Sequence, residues 1–493
     1  MLLSDILKRL SENKNEADFY YKCFDVLPES VDIKDVTCSS GECSEGSVFV
    51  CIKGEKYDGH DYIGKCEALG TSTFVSERRD LKLKRGIVII SRNARKTMAE
   101  LSKIVYEIPN GALFTVGITG TKGKSTTAEL LADTLRRLGI KTLSVGTLGA
   151  YFDKRYETKN TTPDSPLLYS LMRKAYEWGA RAAVIEVSSQ ALKAYRVWGI
   201  KFDIVAFTSF GFDHIGKGEH RSLADYIRTK RSLFTSYGAR VAVVNYDDAY
   251  SAFFSSGFPE VIKCGSERGA DYKITRLREG FFGMRFSLSG IEKCYKLTGK
   301  FNASNIAIAA AIAEKFSKMP LEKILDIMSE LRVKGRFECY NIRSRFAIID
   351  YAHNEKSFRE LLLSIRRLTS GRIISVFGSV GGRSKNRRRE LAKTASELSD
   401  FSVITSDNPD FEYPYEIAEE IYSFYPEKEK AKIVTDRKRA ICEAFALSKP
   451  RDVILLLGKG HEEYMISEGE RVKFSEKELL MKIKIDSNFD VIF

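Results

Sequence analysis

Apolar runs too short to be core helices recur along the chain, and most are followed by a longer stretch with apolar positions at helical spacing. The clearest runs beyond residue 110 are ALFTVGIT (112–119), KTLSVGT (141–147), AAVIEVSS (182–189), DIVAFTS (203–209) and RVAVVN (240–245). Near-continuous apolar runs suit strands covered on both faces, as in a parallel α/β sheet. The alternation restarts after residue 335. FAIIDYAH precedes the helical SFRELLLSIRRL, and RIISVFGS precedes ELAKTASEL. FSVITSDNP, PYEIAEEIYSF, AKIVTD, KRAICEAFAL and DVILLLGKG complete that series. Before residue 110 the strand-like runs are GSVFVCI (46–52) and STFVSE (72–77). The pattern predicts an α/β protein of three units, residues 1–109, 110–335 and 336–493. In doubly wound sheets ligands bind at the carboxyl ends of strands, so residues just after each run carry the functional interest.

Composition narrows the function classes. The 493 residues are 43% hydrophobic and 29% charged, the profile of a globular protein. No run approaches the ~18 apolar residues of a membrane span. The N-terminal MLLSDILKRLSENKNEAD lacks an apolar signal region, so a cytoplasmic protein is expected. Nine cysteines without a CxxC pair read as free thiols. The net charge of +13 suits nucleic acid or a polyanionic small molecule. The cations are dispersed, with no basic strip interleaved with aromatics, so no nucleic-acid partner is expected. Their densest cluster, GGRSKNRRR (381–389), reads as a substrate loop after a strand.

The strongest chemical signal is GITGTKGKSTT (117–127), between a run and a helix. Gly117, Gly120 and Gly123 let backbone amides approach phosphate oxygens, Lys124 adds charge at the terminal phosphates, and Ser125 can ligate magnesium. Ile118 stands where the usual Walker spacing has glycine, so the loop is a variant; its helix is expected to begin at Ser125. Glu186 ends another run, where it is either a metal ligand or a salt-bridged strand end. His214 in FGFDHIG is either a ligand or a satisfied loop histidine. TSDNPDFEYP (405–414) is either a solvated Asx turn or a site for a cationic ligand.

TGTKGKSTT, NTTPDS (160–165), EVSS, the FTSF…DH segment, LTGKFNASN (297–305), GRFE (335–338), DYAHN (350–354), DNP and GKGHE occur in one order. Together they resemble the Mur ligase family across nearly the whole chain, and most closely its members that add the third residue of the peptidoglycan stem peptide. The resemblance implies a three-domain architecture: a UDP-sugar-binding unit, a central P-loop ATPase unit and a Rossmann-like amino-acid-binding unit. It also implies a cytoplasmic, ATP- and Mg²⁺-dependent ligase, expected as a monomer. Its substrates would be UDP-N-acetylmuramoyl-L-alanyl-D-glutamate and a basic amino acid, joined through an acyl phosphate.

Residue by residue, the resemblance assigns Gly120, Thr121, Lys122, Gly123, Lys124, Ser125 and Thr126 to the ATP phosphates. Asn302 and Asn305 go to the adenine side, and Arg336, Asp350 and His353 close over ATP from the third unit. Ser125, Glu186, His214 and a carbamoylated Lys230 would hold magnesium. Thr161, Thr162, Ser188 and Arg196 would hold the sugar-peptide, with Ala194 where the family usually has glutamine. The family's Asp-Ser-Arg uridine signature is Ser39-Ser40-Gly41 here, so only Ser40 matches. GEKYDGH (54–60) corresponds to the loop over the uracil and diphosphate. Arg383, Asp407, Asn408, Pro409, Asp410, Gly458 and Glu462 would form the amino-acid pocket.

Diaminopimelate-adding relatives have arginine after the DNP turn, where this chain has Asp410. An acid there repels a distal carboxylate and attracts a distal ammonium, an effect of about 1–3 kcal/mol after desolvation. The expected amino acid is L-lysine, with L-ornithine close to it and meso-diaminopimelate as the alternative. Further alternatives are a folylpolyglutamate synthetase, which lacks a uridine-binding unit, a P-loop ATPase acting on nucleic acid, and a silent nucleotide-binding scaffold.

Overall fold

The computed structural model describes residues 1–12, 19–54, 57–211, 220–382 and 385–485. Three successive sheets organise the chain. The first runs, edge to edge, Phe19–Phe24, Gly86–Ser91, Thr73–Ser76, Ser47–Val50 and Asp35–Thr37. All its neighbours pair in parallel except the edge strand Phe19–Phe24, which runs antiparallel to Gly86–Ser91. The pattern reading finds the second and third strands from the Asp35–Thr37 edge. It misses Asp35–Thr37, the fully buried Gly86–Ser91 and the edge strand Phe19–Phe24, in which no residue is buried.

The second sheet has eleven strands. Its parallel centre is ordered Glu260–Gly265, Val241–Asn245, Ile204–Phe207, Phe114–Thr119, Ala182–Glu186, Thr142–Gly146. Five of these strands are the apolar runs of the pattern. The antiparallel strands Tyr272–Gly280, Gly283–Leu288 and Ile291–Tyr295 extend one edge. Their mixed exposure leaves no continuous apolar signal. The helix Lys300–Ser317 is buried along most of its length and packs with Lys124–Arg137 on one face of the sheet. A second apolar layer, including Leu168, Met172, Tyr226 and Phe254, covers the other face.

The third sheet is ordered Glu338–Ile342, Arg345–Asp350, Val453–Leu457, Ile373–Phe377, Phe401–Ile404, Ala431–Ile433. It is parallel except for its first strand. Helices cover both faces, and a separate hairpin, Tyr464–Ser467 with Glu470–Lys473, follows the last strand. The nine cysteines are unbridged. Among the described residues, no helix is long and apolar enough to cross a membrane.

Candidate active site

The phosphate loop leaves the strand Phe114–Thr119 and enters the helix Lys124–Arg137. The helix starts one residue before Ser125, because Gly123 takes a left-handed φ of 84° and turns the chain into it. The loop and helix N-terminus face a cavity of about 400 Å³, where backbone amides and the helix dipole favour an anion. Thr121, Lys122, Gly123, Lys124, Ser125 and Thr126 line it from the middle unit. Arg336, Asp350, Tyr351 and His353 line it from the third.

Glu186 ends the strand beside the phosphate-loop strand and is fully buried. Its Oε2 accepts a hydrogen bond from Ser125 Oγ at 2.8 Å and one from Thr147 Oγ1 at 3.3 Å. Oε1 accepts from the Thr147 amide at 2.9 Å. The carboxylate lies across Gly146, where an added Cβ would meet Oε1 at 2.0 Å, so glycine is the residue that admits it. Thr147 is a site residue that the motifs did not flag; its position one residue past a strand end is the only sequence signal.

Lys230 is 1% exposed on the helix Leu223–Thr235. Its Nζ donates to the Gly120 carbonyl at 2.9 Å and lies 4.7 Å from the centre of the Tyr226 ring. Lys124 Nζ donates to the same carbonyl at 2.9 Å and to Thr121 O at 3.3 Å. Two lysine side chains therefore converge on one carbonyl oxygen, Lys230 from the buried side and Lys124 from the cavity wall.

The third unit reaches across the cavity. Arg336 donates to Ser125 Oγ at 3.3 Å and stacks 4.8 Å from the Tyr351 ring centre. Asp350 accepts from the amides of Phe337 and Ala352, each at 2.8 Å. Burial pushes its carboxyl up, against the opposing pull of Arg336 and Lys122. His353 Nδ1 pairs with Tyr351 O at 2.8 Å. Lys356 donates to Phe210 O at 2.9 Å, another tie between the two units.

Asn305 reaches the cavity, with Phe301 beside it. Asn302, expected on the adenine side with Asn305, does not itself line the cavity. Its side chain is 1% exposed, donates to Thr298 O at 2.7 Å and accepts from Asn305 Nδ2 at 3.0 Å, so it orients Asn305 from behind. Thr161, Ser188 and Arg196 line the same cavity. Thr162 is turned inward, donating to Glu186 O at 2.7 Å and accepting from the Ser188 amide at 3.2 Å. Arg196 pairs with Asp164 at 2.8 Å and donates to Thr162 O at 3.0 Å.

In the first unit Ser40 is partly exposed in the turn after Asp35–Thr37. Asp58 accepts from the His60 amide and ring and from Arg78, which pins the end of the 54–60 loop to the sheet. The two His60 hydrogen bonds hold its carboxyl down at about 2. Glu55 and Lys56 of that loop, together with His214 and Arg383, lie outside the described residues.

The 405–410 turn is not solvated. Asp407 and Asn408 are 3% and 6% exposed. Gly378 follows the strand Ile373–Phe377, which separates this turn from Gly458; a Cβ there would meet Thr405 O at 2.1 Å, so the glycine lets the turn cross. Asn408 Nδ2 donates to Glu462 Oε2 at 2.9 Å, and its Oδ1 accepts from Lys459 Nζ at 2.8 Å and the Ile466 amide at 3.0 Å. Lys459 is fully buried; its Nζ also donates to Glu462 Oε2 at 2.7 Å and lies 3.9 Å from Asp407. Burial pushes the Asp407 carboxyl up, while Lys459 and then Arg437 oppose that. Lys459 stands inside GKGHE, and the motif reading gave it no role. Asp410, at φ 56°, is tied by its backbone to the hairpin strand: its amide donates to Ile466 O, and its carbonyl accepts from the Glu468 amide. The GGRSKNRRR cluster is corrected in part. Residues 385–389 open the helix Lys385–Leu398, and Arg388 is 3% exposed, paired with Glu412 and Glu420 at 2.6 Å each. Those ion pairs make it a structural cation.

Three family models match the chain in succession. They are "Mur ligase family, catalytic domain" over residues 32–108, "Mur ligase middle domain" over 118–313 and "Mur ligase, glutamate ligase domain" over 335–460. Among curated proteins, the chain is 34% identical over 459 residues to the UDP-N-acetylmuramoyl-L-alanyl-D-glutamate–2,6-diaminopimelate ligase of Aquifex aeolicus, covering 92% of this chain and 93% of that one. It is 32% identical over 492 residues to the protein of that name from Phocaeicola vulgatus, covering 98% and 99%. Among solved structures, a ligase of the same name matches with a TM-score of 0.65 at 24% identity, covering 94% of this chain and 99% of that one. MurF ligase from Thermotoga maritima in complex with ADP matches with a TM-score of 0.60 at 19% identity, covering 91% and 96%.

Proposed function

The chain belongs to the Mur ligase family of ATP-dependent amide-forming ligases, and from that premise we propose that it adds the third stem-peptide residue to UDP-N-acetylmuramoyl-L-alanyl-D-glutamate. One observation carries the reading: a phosphate loop and an arginine from the third unit converge on one cavity, and a buried carboxylate backs the loop through Ser125. That cavity is bordered by Thr161, Ser188 and Arg196, the residues proposed for the sugar-peptide.

In this reading the γ-carboxylate of D-glutamate attacks the γ-phosphorus of ATP. ADP leaves and an acyl phosphate forms. The α-amine of the incoming amino acid then attacks the acyl carbon, phosphate leaves, and an amide bond remains. Both partners in the first step are anions, so the protein's task is to screen charge and hold geometry. Lys124 and the loop amides would bind the terminal phosphates, and Arg336 would approach the transferring group from across the cavity.

The donor set around Ser125 fits magnesium. Ser125 Oγ, Thr147 Oγ1 and the Glu186 carboxylate are hard oxygen donors clustered at hydrogen-bond distances, and magnesium takes few protein oxygens beside phosphates and water. Ser125 and Glu186 would hold the ion, with His214 as a further candidate. When bound, it supplies positive charge to phosphate oxygens. Carbamoylation of Lys230 is part of the proposal: it replaces one of two cations crowding Gly120 O with an anion able to face a metal.

The third residue is proposed to be L-lysine, with L-ornithine near it, because Asp410 puts a carboxylate where the resemblance has arginine for a distal carboxylate. meso-Diaminopimelate is the second reading, favoured by the names of the relatives above. Phosphate release from ATP, measured with the UDP-dipeptide and a panel of amino acids, tests the ligase reading. Release must require both the UDP-dipeptide and an amino acid; release driven by DNA or RNA instead would replace it with a nucleic-acid ATPase.

A further inference from the structure

Arg437 opens the helix Arg437–Leu447, outside every motif used above, yet it is 2% exposed. Its guanidinium spans two strand ends. Nη1 donates to Ser406 O at 3.0 Å, immediately before Asp407, and Nη2 donates to Leu457 O at 2.8 Å, immediately before Gly458. Nε donates to Glu476 Oε1 at 2.9 Å. Glu476 is 2% exposed and is the first residue of the last described helix, Glu476–Ile485.

The same two loops are joined a second time through side chains, by Lys459 to Asn408 and Asn408 to Glu462. The 406–410 and 458–462 segments are therefore clasped twice. Arg437 fixes the spacing of their backbones through a rigid planar fork, a geometry that a single lysine ammonium cannot reproduce. Glu476 supplies the counter-charge that lets the guanidinium be buried.

We propose that Arg437, neutralised by Glu476, is a positioning residue for the amino-acid site: it sets the separation of the two loops that recognise the incoming amino acid. This rests on the reading of Asp407–Asp410 and Gly458–Glu462 as the amino-acid pocket. Arg437 touches no substrate in this account.

The test compares Arg437→Met, the double variant Arg437→Met/Glu476→Leu, and Asn408→Ala as a pocket control. Steady-state kinetics are measured for each of the three substrates, alongside melting temperature. Arg437→Met leaves Glu476 buried and uncompensated, so its melting temperature falls. The double variant removes both charges, and apolar replacement of a buried pair is often neutral for stability. The expected result is a double variant that melts near the parent but retains a tenfold or greater rise in KM for the amino acid, with KM for ATP and for the UDP-dipeptide within twofold. Arg437→Lys keeps the charge but not the fork, so it is expected to show a raised amino-acid KM as well. A double variant with parental amino-acid KM, while Asn408→Ala raises it, overturns the proposal and leaves the pocket standing. If Asn408→Ala also leaves amino-acid KM unchanged, the pocket reading itself fails and the proposal falls with it.

Discussion

Ser125, in the first turn of the helix that follows the phosphate loop, and Glu186, at the end of the strand beside the phosphate-loop strand, meet hydroxyl to carboxylate at 2.8 Å. The contact joins the phosphate loop to a buried acid that the surrounding fold is shaped to admit, through the glycine at 146. Glu186→Gln keeps the size and one accepting oxygen, for the Thr147 amide, turns the other position into a donor toward the hydroxyls of Ser125 and Thr147, and removes the charge. It is expected to lower kcat by roughly 10²-fold or more, with a higher magnesium requirement. Phosphate release titrated with magnesium checks this; an unchanged magnesium dependence would mean that Glu186 only buttresses the loop.

Lys230 and Lys124 share the Gly120 carbonyl. If Lys230 acts as a carbamate, Lys230→Ala loses activity by roughly 10²-fold, and millimolar formate or acetate restores a measurable part by supplying the missing carboxylate. Arginine at this position keeps the cation and is expected to be inactive without rescue. Lys230→Ala that no carboxylate restores, together with an active Lys230→Arg, would contradict the carbamate.

Asp410 sits in a left-handed backbone conformation that Asp and Asn tolerate better than most residues. Asp410→Asn therefore removes charge at little conformational cost and is expected to lower the preference for lysine over meso-diaminopimelate by about 10- to 100-fold. Asp410→Arg is expected to move it further in the same direction. Ratios of kcat/KM for the two amino acids measure the effect, and unchanged ratios in both variants would return the residue to a turn-forming role.

His461 packs beside Tyr351, with ring centres 4.9 Å apart, close to where the chain enters the third unit at Gly335. Burial, then the charges of Arg336, Lys334, Arg155 and Lys459, hold its imidazole down at about 3, against an ordinary value of 6.5. Between those values the unfolded chain binds a proton that the folded chain refuses. The resulting stability is fully present above pH 6.5 and declines as pH falls toward 3. The melting temperature of the parent should fall more steeply from pH 6.5 to 4.5 than that of His461→Gln; parallel curves would show that His461 does not carry this dependence.

The sequence revealed the parallel cores and most motif positions because those depend on local pattern. Five strands at the centre of the second sheet are buried on both faces and read as apolar runs, whereas Tyr272–Gly280, Gly283–Leu288 and Ile291–Tyr295 mix buried and exposed positions and do not. At the site, Lys124 and Ser125 were legible from glycine spacing alone. Asn302 was assigned to ligand because a motif names residue types but not which face of a buried helix they occupy. Thr147, Lys459 and Arg437 were missed for a related reason: each acts through a contact between segments far apart in sequence. Local pattern leaves the 405–410 turn open between a solvated turn and a ligand site; its burial across Gly378 and against Lys459 depends on the fold.

Whether the enzyme joins a cationic amino acid to a UDP-linked dipeptide is read from the mass of its product. The enzyme is incubated with ATP, magnesium, UDP-N-acetylmuramoyl-L-alanyl-D-glutamate and an equimolar mixture of L-lysine, L-ornithine and meso-diaminopimelate. The expected product is a UDP-linked species heavier by one lysine or ornithine residue, formed in step with ADP. A product carrying diaminopimelate alone would contradict the role given to Asp410, and the absence of any UDP-linked tripeptide would contradict the ligase assignment as a whole.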